Sequence, residues 1–142
     1  MDREPTIEDA IVLAAQSHRG QVDKAGAPYI LHPLRVLLRQ KDEAGRIAAV
    51  LHDVLEDAGI TIEFLRERGY SEEVLRALDA LTRRAGESYA EFIERAAGNP
   101  LARRVKLADL ADNMDASRLP DVTEKDRERL ARYRAAWERL TS

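Results

Sequence analysis

The segment Leu51-His52-Asp53-Val54-Leu55-Glu56-Asp57 places one imidazole and three carboxylates within seven residues. On a helix turning about 100° per residue, with His52 at zero, Glu56 falls near 40°, Asp53 near 100° and Asp57 near 140°. Val50, Leu51, Val54 and Leu55 fall on the opposite side, between about 160° and 300°, where they can enter a core. Such a face fits metal binding and acid-base work on water. It also fits an amphipathic helix whose acids simply face solvent.

Two more segments add donors of the same kind. His32 stands beside Pro33 at a helix start, after a loop from Gly20 to Pro28, and Asp109 lies in Val105-Lys106-Leu107-Ala108-Asp109, with Asn113 one turn later. With His52 and Asp53 they make two imidazoles and two carboxylates, a nitrogen and oxygen set suited to manganese, iron or zinc. The chain has no cysteine and only three histidines, His18, His32 and His52. Disulfides, thiolate nucleophiles and zinc fingers are therefore excluded, and any metal must be held by His, Asp or Glu.

These residues need a scaffold, and the apolar spacing is helical almost throughout. The 142 residues are 44% hydrophobic and 35% charged, the balance of one globular domain with a single core, residues 1–142. Thr6 with Asp9, Ser88 with Glu91 and Thr123 with Asp126 have the spacing of capping boxes, and Thr61 and Ser71 that of simple caps. Glycine and proline punctuation then gives helices over 6–18, 31–40, 43–57, 61–68, 71–82, 88–97, 100–117 and 123–140. The expected fold is all-α, a compact domain of seven or eight helices.

The strings HRGQVDKAGAPYILHP from His18, LHDVLED from Leu51 and VKLADLADN from Val105 resemble, in this order, the HD superfamily of metal-dependent phosphohydrolases. They are most similar to the small alarmone hydrolases and to the hydrolase domain of the Rel and Spo-type stringent-response enzymes. The resemblance covers about residues 8–137. It implies one divalent metal, manganese first, on His32, His52, Asp53 and Asp109, with Glu56 and Asp57 over the attacking water. It further implies substrate contacts by Lys24, Asn113, Arg129 and Tyr133, and removal of the 3′-pyrophosphate from an alarmone such as (p)ppGpp. Lys106, three residues before Asp109 on the same helix side, is a further candidate substrate contact because a polyanionic substrate needs cations. His18 has no ligand role in the pattern and reads as structural. One departure concerns the base: hydrolases of guanosine substrates typically carry Arg where this chain has Asp23, and an acid cannot stack on a purine as a guanidinium does. A hydrolase of another small phosphorylated nucleotide, or a nucleotide-binding module without catalysis, are the competing readings.

Other chemistries lack their motifs. There is no P-loop, no His-Glu-x-x-His and no Gly-x-Gly-x-x-Gly. The formal charge of −3 and the acids interleaved among Arg127, Arg129, Arg132, Arg134 and Arg139 argue against a nucleic-acid face. The longest apolar run, Ala10 to Ala15, is far short of the roughly 20 residues a membrane span needs. Arg83 and Arg84 are further candidate phosphate cations. The expected partner is a small phosphorylated nucleotide, and the expected location is the cytoplasm.

Overall fold

The helix starts follow local side-chain chemistry. Thr6, Ser88 and Thr123 each accept from the backbone N–H three residues on, while Asp9, Glu91 and Asp126 reach back to the cap backbone. Thr61 and Ser71 cap in the simpler way, as do Asp42 and Asn99. The computed structural model describes residues 4–57, 59–119 and 121–142, apart from the side chains of residues 57 and 116.

Within that span the helices are α1 (Ile7–Ser17), α2 (Leu31–Leu38), α3 (Glu43–Leu51), α4 (Val54–Asp57), α5 (Ile62–Glu67), α6 (Glu72–Ala80), α7 (Tyr89–Ala97), α8 (Pro100–Asn113) and α9 (Glu124–Thr141). A 3₁₀ turn, Ala116–Arg118, follows α8. Among the described residues there is no strand, only an isolated antiparallel bridge between Val22 and Pro28. The fold is all-α.

Two expected boundaries shift. The helix expected over 43–57 breaks at His52 and Asp53 into α3 and α4, and α8 stops at Asn113 where continuity to 117 was expected. The first break has a visible cause. In a continuing helix the carbonyl of Ala49 accepts from the N–H of residue 53. Here it accepts from the His52 ring Nδ1 at 2.5 Å and from the His52 N–H at 3.4 Å.

The core lies in two clusters that share α8. Around α3, whose Ile47 to Leu51 are all buried, α1, α2 and α6 supply Ala10, Ala14, Val36, Val74, Leu75 and Leu78. Each leucine or valine buried this way contributes roughly 1.5–3 kcal/mol. The second cluster joins Phe92 and Ile93 of α7 to Leu110 of α8 and to Ala136 and Leu140 of α9, with Tyr133 and Trp137 packed against it. Helix α8 gives Leu101, Ala102 and Val105 to the first cluster and Leu110 to the second. Its polar residues Lys106, Asp109 and Asp112 are buried along with them.

The loop before α2 is a small folded unit. The Asp23 N–H donates to the Ala27 carbonyl at 2.8 Å and the Tyr29 N–H to the Gln21 carbonyl at 2.9 Å. Gly26 makes the turn at φ 86°, a region open to glycine at little cost. Asp23 Oδ1 accepts from the N–H groups of both Ala25 and Ala27 at 2.9 Å. Its carboxylate therefore organises the loop.

Candidate metal centre

Three elements carry the donors inward. His32 is the second residue of α2, His52 caps the C-terminus of α3, and Asp109 lies in α8. All three are buried, and one ligand atom from each lies within 4.8 Å of the others. His32 Nε2 is 2.8 Å and His52 Nε2 3.3 Å from the same Asp109 Oδ1. Asp53, in the turn after His52, brings Oδ2 to 3.2 Å from His52 Nε2 and 3.9 Å from His32 Nε2, and accepts from the Tyr29 hydroxyl.

The far nitrogen of each imidazole is engaged. His52 Nδ1 faces the Ala49 carbonyl, which can only accept, so Nδ1 carries the proton. His32 Nδ1 faces Asp112 Oδ2 at 2.6 Å. Asp112 is itself held by Arg35, through Nε at 2.6 Å and Nη2 at 3.0 Å, and lies 3.6 Å from Arg118. With both Nδ1 positions donating, neutral rings present their Nε2 lone pairs to carboxylate oxygens, acceptor against acceptor. Such a group requires a cation, and the outward carboxylate and carbonyl are the partners that orient metal-bound histidines. The donor set fits a divalent metal.

In the metal-free chain protons take that place. Burial alone would lower the His52 pKa, but the Asp53 charge and the bond to Asp109 outweigh it and push it up to about 9. His32 is raised as well, burial being overcome by Asp109 and Asp112. Burial would raise Asp109, yet the Lys106 charge and both imidazoles hold it well below the ordinary carboxylate range. Lys106 Nζ donates to Asp109 Oδ2 at 2.8 Å and lies over the rings of Phe92 and Tyr89. Asn113 Nδ2 donates to Asp109 Oδ1 at 3.1 Å.

A cleft of about 350 Å³ opens beside this cluster, with Tyr29 and Asn113 in its lining. Lys24, Arg129 and Tyr133 line it too, so four of the five expected substrate contacts share one cavity. The fifth, Lys106, is not in that lining; it is buried and paired with Asp109. Two of the three cleft cations meet Asp126, Lys24 at 3.3 Å and Arg129 in a closer pair, while Arg118 is 3.2 Å from Asp115. Glu56 is exposed, its Oε1 accepting from the Arg83 N–H at 3.0 Å, which ties α4 to the loop after α6. The Asp57 side chain lies outside the described residues. Arg83 covers the Tyr89 ring, while Arg84 pairs with Asp79. His18 is buried against Tyr29, ring centroids 5.0 Å apart, with Nδ1 3.1 Å from Gln21 Oε1.

The sequence alone does not distinguish Asp112, Arg35 and Arg118 from other surface charges. The available signal was the spacing of three between Asp109 and Asp112, which places both on one side of α8.

The chain resembles several known proteins. It is 35% identical over 120 residues to a guanosine-3′,5′-bis(diphosphate) 3′-pyrophosphohydrolase of Aquifex aeolicus, covering 76% of this chain and 17% of that protein. Over 143 residues it is 32% identical to a GTP pyrophosphokinase of Myxococcus xanthus, covering 88% and 18%. It thus spans less than a fifth of the length of these curated relatives. A solved structure of a metazoan SpoT ortholog that hydrolyses ppGpp superposes with a TM-score of 0.78 at 25% identity, covering 99% of this chain and 87% of the other. The HD domain model matches residues 10–135, a stretch that takes in Tyr29, both clustered imidazoles, Asp109 and Tyr133, and the chain belongs to that family.

Proposed function

We propose that this chain is a metal-dependent hydrolase that removes the 3′-diphosphate from a nucleoside alarmone of the ppGpp class. The observation that carries the reading is the convergence of His32 Nε2, His52 Nε2 and Asp109 Oδ1 beside an open cleft whose lining includes Lys24, Asn113, Arg129 and Tyr133. The Aquifex relative's name and the ppGpp hydrolysis by the metazoan SpoT ortholog support it. A divalent metal, manganese first, held by His32, His52, Asp53 and Asp109, supplies Lewis acidity and makes hydroxide available from water near neutral pH.

The chain's own residues do the rest. Tyr29 holds Asp53 by its hydroxyl, and Lys106 and Asn113 hold Asp109, so both carboxylates are kept in place before substrate arrives. Lys24, Asn113, Arg129 and Tyr133 bind the nucleotide in the cleft, and Lys106 offsets charge near the reacting phosphates. Glu56 orients or deprotonates the attacking water, and Asp57 shares that role on the strength of its sequence position alone. One of the two later protonates the leaving group. No nucleic acid or membrane enters this reading, and its setting is the cytoplasm; among the described residues no helix is long and apolar enough to cross a membrane.

Asp23 makes the base a variable worth testing, because its carboxylate is spent on the loop. The experiment is an assay with manganese on guanosine and adenosine 3′,5′-bisdiphosphates and on simple nucleoside monophosphates. Pyrophosphate release from a bisdiphosphate, lost on chelation and in Asp53→Ala, is expected. Release of orthophosphate alone, or activity that survives Asp53→Ala, overturns the reading.

A further inference from the structure

The charges lining the cleft cancel. Lys24, Arg118 and Arg129 are matched by Asp23, Asp115 and Asp126 in the same lining. Each cation already has a carboxylate partner there: Lys24 and Arg129 share Asp126, and Arg118 is 3.2 Å from Asp115. Asp126 is the pivot of the first group. Its Oδ2 closes the capping box of α9, accepting from the Thr123 N–H at 3.0 Å and the Thr123 hydroxyl at 2.9 Å. That leaves Oδ1 fixed toward the two cations. The bonds from Thr123, with burial opposing, bring the Asp126 pKa down to about 2, so the carboxylate is charged under any ordinary assay condition.

We propose that Asp126 is a specificity-determining residue that limits how much phosphate the far end of the substrate carries. The inference rests on the reading above, in which the 3′-diphosphate reacts at the cluster and the nucleoside with its 5′ end occupies the cleft. A 5′-phosphate reaching Lys24 and Arg129 meets the Asp126 charge beside them. Each further phosphate adds negative charge to a lining that has no surplus positive charge to offset it. The cleft therefore favours 5′-monophosphates and disfavours 5′-triphosphates among nucleoside 3′-diphosphates. The capping box makes this discrimination rigid, since Asp126 cannot swing away without opening the first turn of α9.

The test uses guanosine 3′-diphosphates carrying a 5′-mono-, di- or triphosphate, and reads the ratio of kcat/KM for triphosphate to that for monophosphate. The native chain is expected to favour the monophosphate. Asp126→Asn, which keeps a cap acceptor and removes the charge, is expected to raise the ratio by about fivefold, the Boltzmann factor for one unit charge a few Å away in water. Asp126→Glu restores the native order. Lys24→Met leaves the capping box untouched and is expected to lower the ratio by a similar factor, which keeps the proposal open to test if Asp126→Asn fails to fold. A purely structural role would change all three substrates together. Ratios in Asp126→Asn and Lys24→Met within twofold of native, or a native preference for the triphosphate, overturn the proposal. If the native chain hydrolyses none of the three, the proposed function fails instead. The same ratio then comes from calorimetric binding of these nucleotides, with the same outcomes for and against Asp126.

Discussion

Asp109 and Asp126 are equally buried, each 5% exposed, and each accepts from several donors, yet they belong to different kinds of site. Asp109 is surrounded by groups as buried as itself: His32, His52 and Lys106. Of the two cations on Asp126, Lys24 has a side chain 56% exposed and Arg129 one 23% exposed. A charge whose partners are also dry has no water to replace a lost partner, whereas one whose partners reach solvent can exchange them. The cluster around Asp109 is thus tied to folding and, in the proposed function, to metal binding. The pair on Asp126 is tied to what enters the cleft.

Breaking the buried side has the largest expected effect. Asp109→Ala strands the Lys106 ammonium and removes the oxygen on which both imidazoles converge, so it is expected to cost about 3–5 kcal/mol of stability and to abolish hydrolysis. Urea denaturation in chelator isolates the stability term from metal loss; a cost under 1 kcal/mol would mean that Lys106 finds another partner.

The same cluster sets a pH dependence with a definite sign. In the metal-free chain the His52 pKa stands at about 9, above its unfolded value near 6.5. Its contribution is fully present below pH 6.5 and is lost as pH rises through 9, a change on the order of 3 kcal/mol. Urea midpoints of chelated protein should fall between pH 6 and pH 9.5, while metal affinity climbs over the same window because the metal displaces protons. A flat midpoint would show that His52 is not held between Asp53 and Asp109.

What the sequence disclosed divides along the same lines. The boxes at Thr6, Ser88 and Thr123 were legible because each closes within four residues and needs nothing from the rest of the chain. The break at His52 was not, because the apolar period runs on through Val54 and Leu55 and the interruption comes from a side chain competing for the Ala49 carbonyl. His32, His52 and Asp109 could be selected by residue type and scarcity, since with no cysteine few nitrogen donors exist. Asp112 looked like any acid on a charged helix until α2 brought Arg35 and His32 against it, 77 and 80 residues away in sequence. In the sequence Asp126 has only the spacing of a capping-box acid among the alternating charges of the last helix. Its second oxygen acquires meaning only when the loop carrying Lys24, 102 residues earlier, folds over it.

Between the extremes lies the link from Asp112 to His32. Asp112→Asn keeps an acceptor for Nδ1 but loses the charge matched to Arg35, and an amide cannot satisfy both the imidazole and the bidentate guanidinium. The expected loss of metal affinity is about 10- to 100-fold. Competition with a chromophoric chelator measures it directly, and unchanged affinity would reduce Asp112 to a helix contact.

The smallest expected effect on stability is on the exposed side. Lys24→Met removes a cation that is mostly in solvent, so the melting temperature should stay within about 2 °C of native. Its consequence should appear in KM, with metal affinity unchanged, because Lys24 touches Asp126 and the cleft but none of the clustered donors. That separation sharpens the contrast between the two acids. A Lys24 variant that weakened metal binding would show that the cleft and the cluster are one coupled unit, and a larger loss of stability would place the Lys24 pair with Asp109 among the contacts on which folding depends.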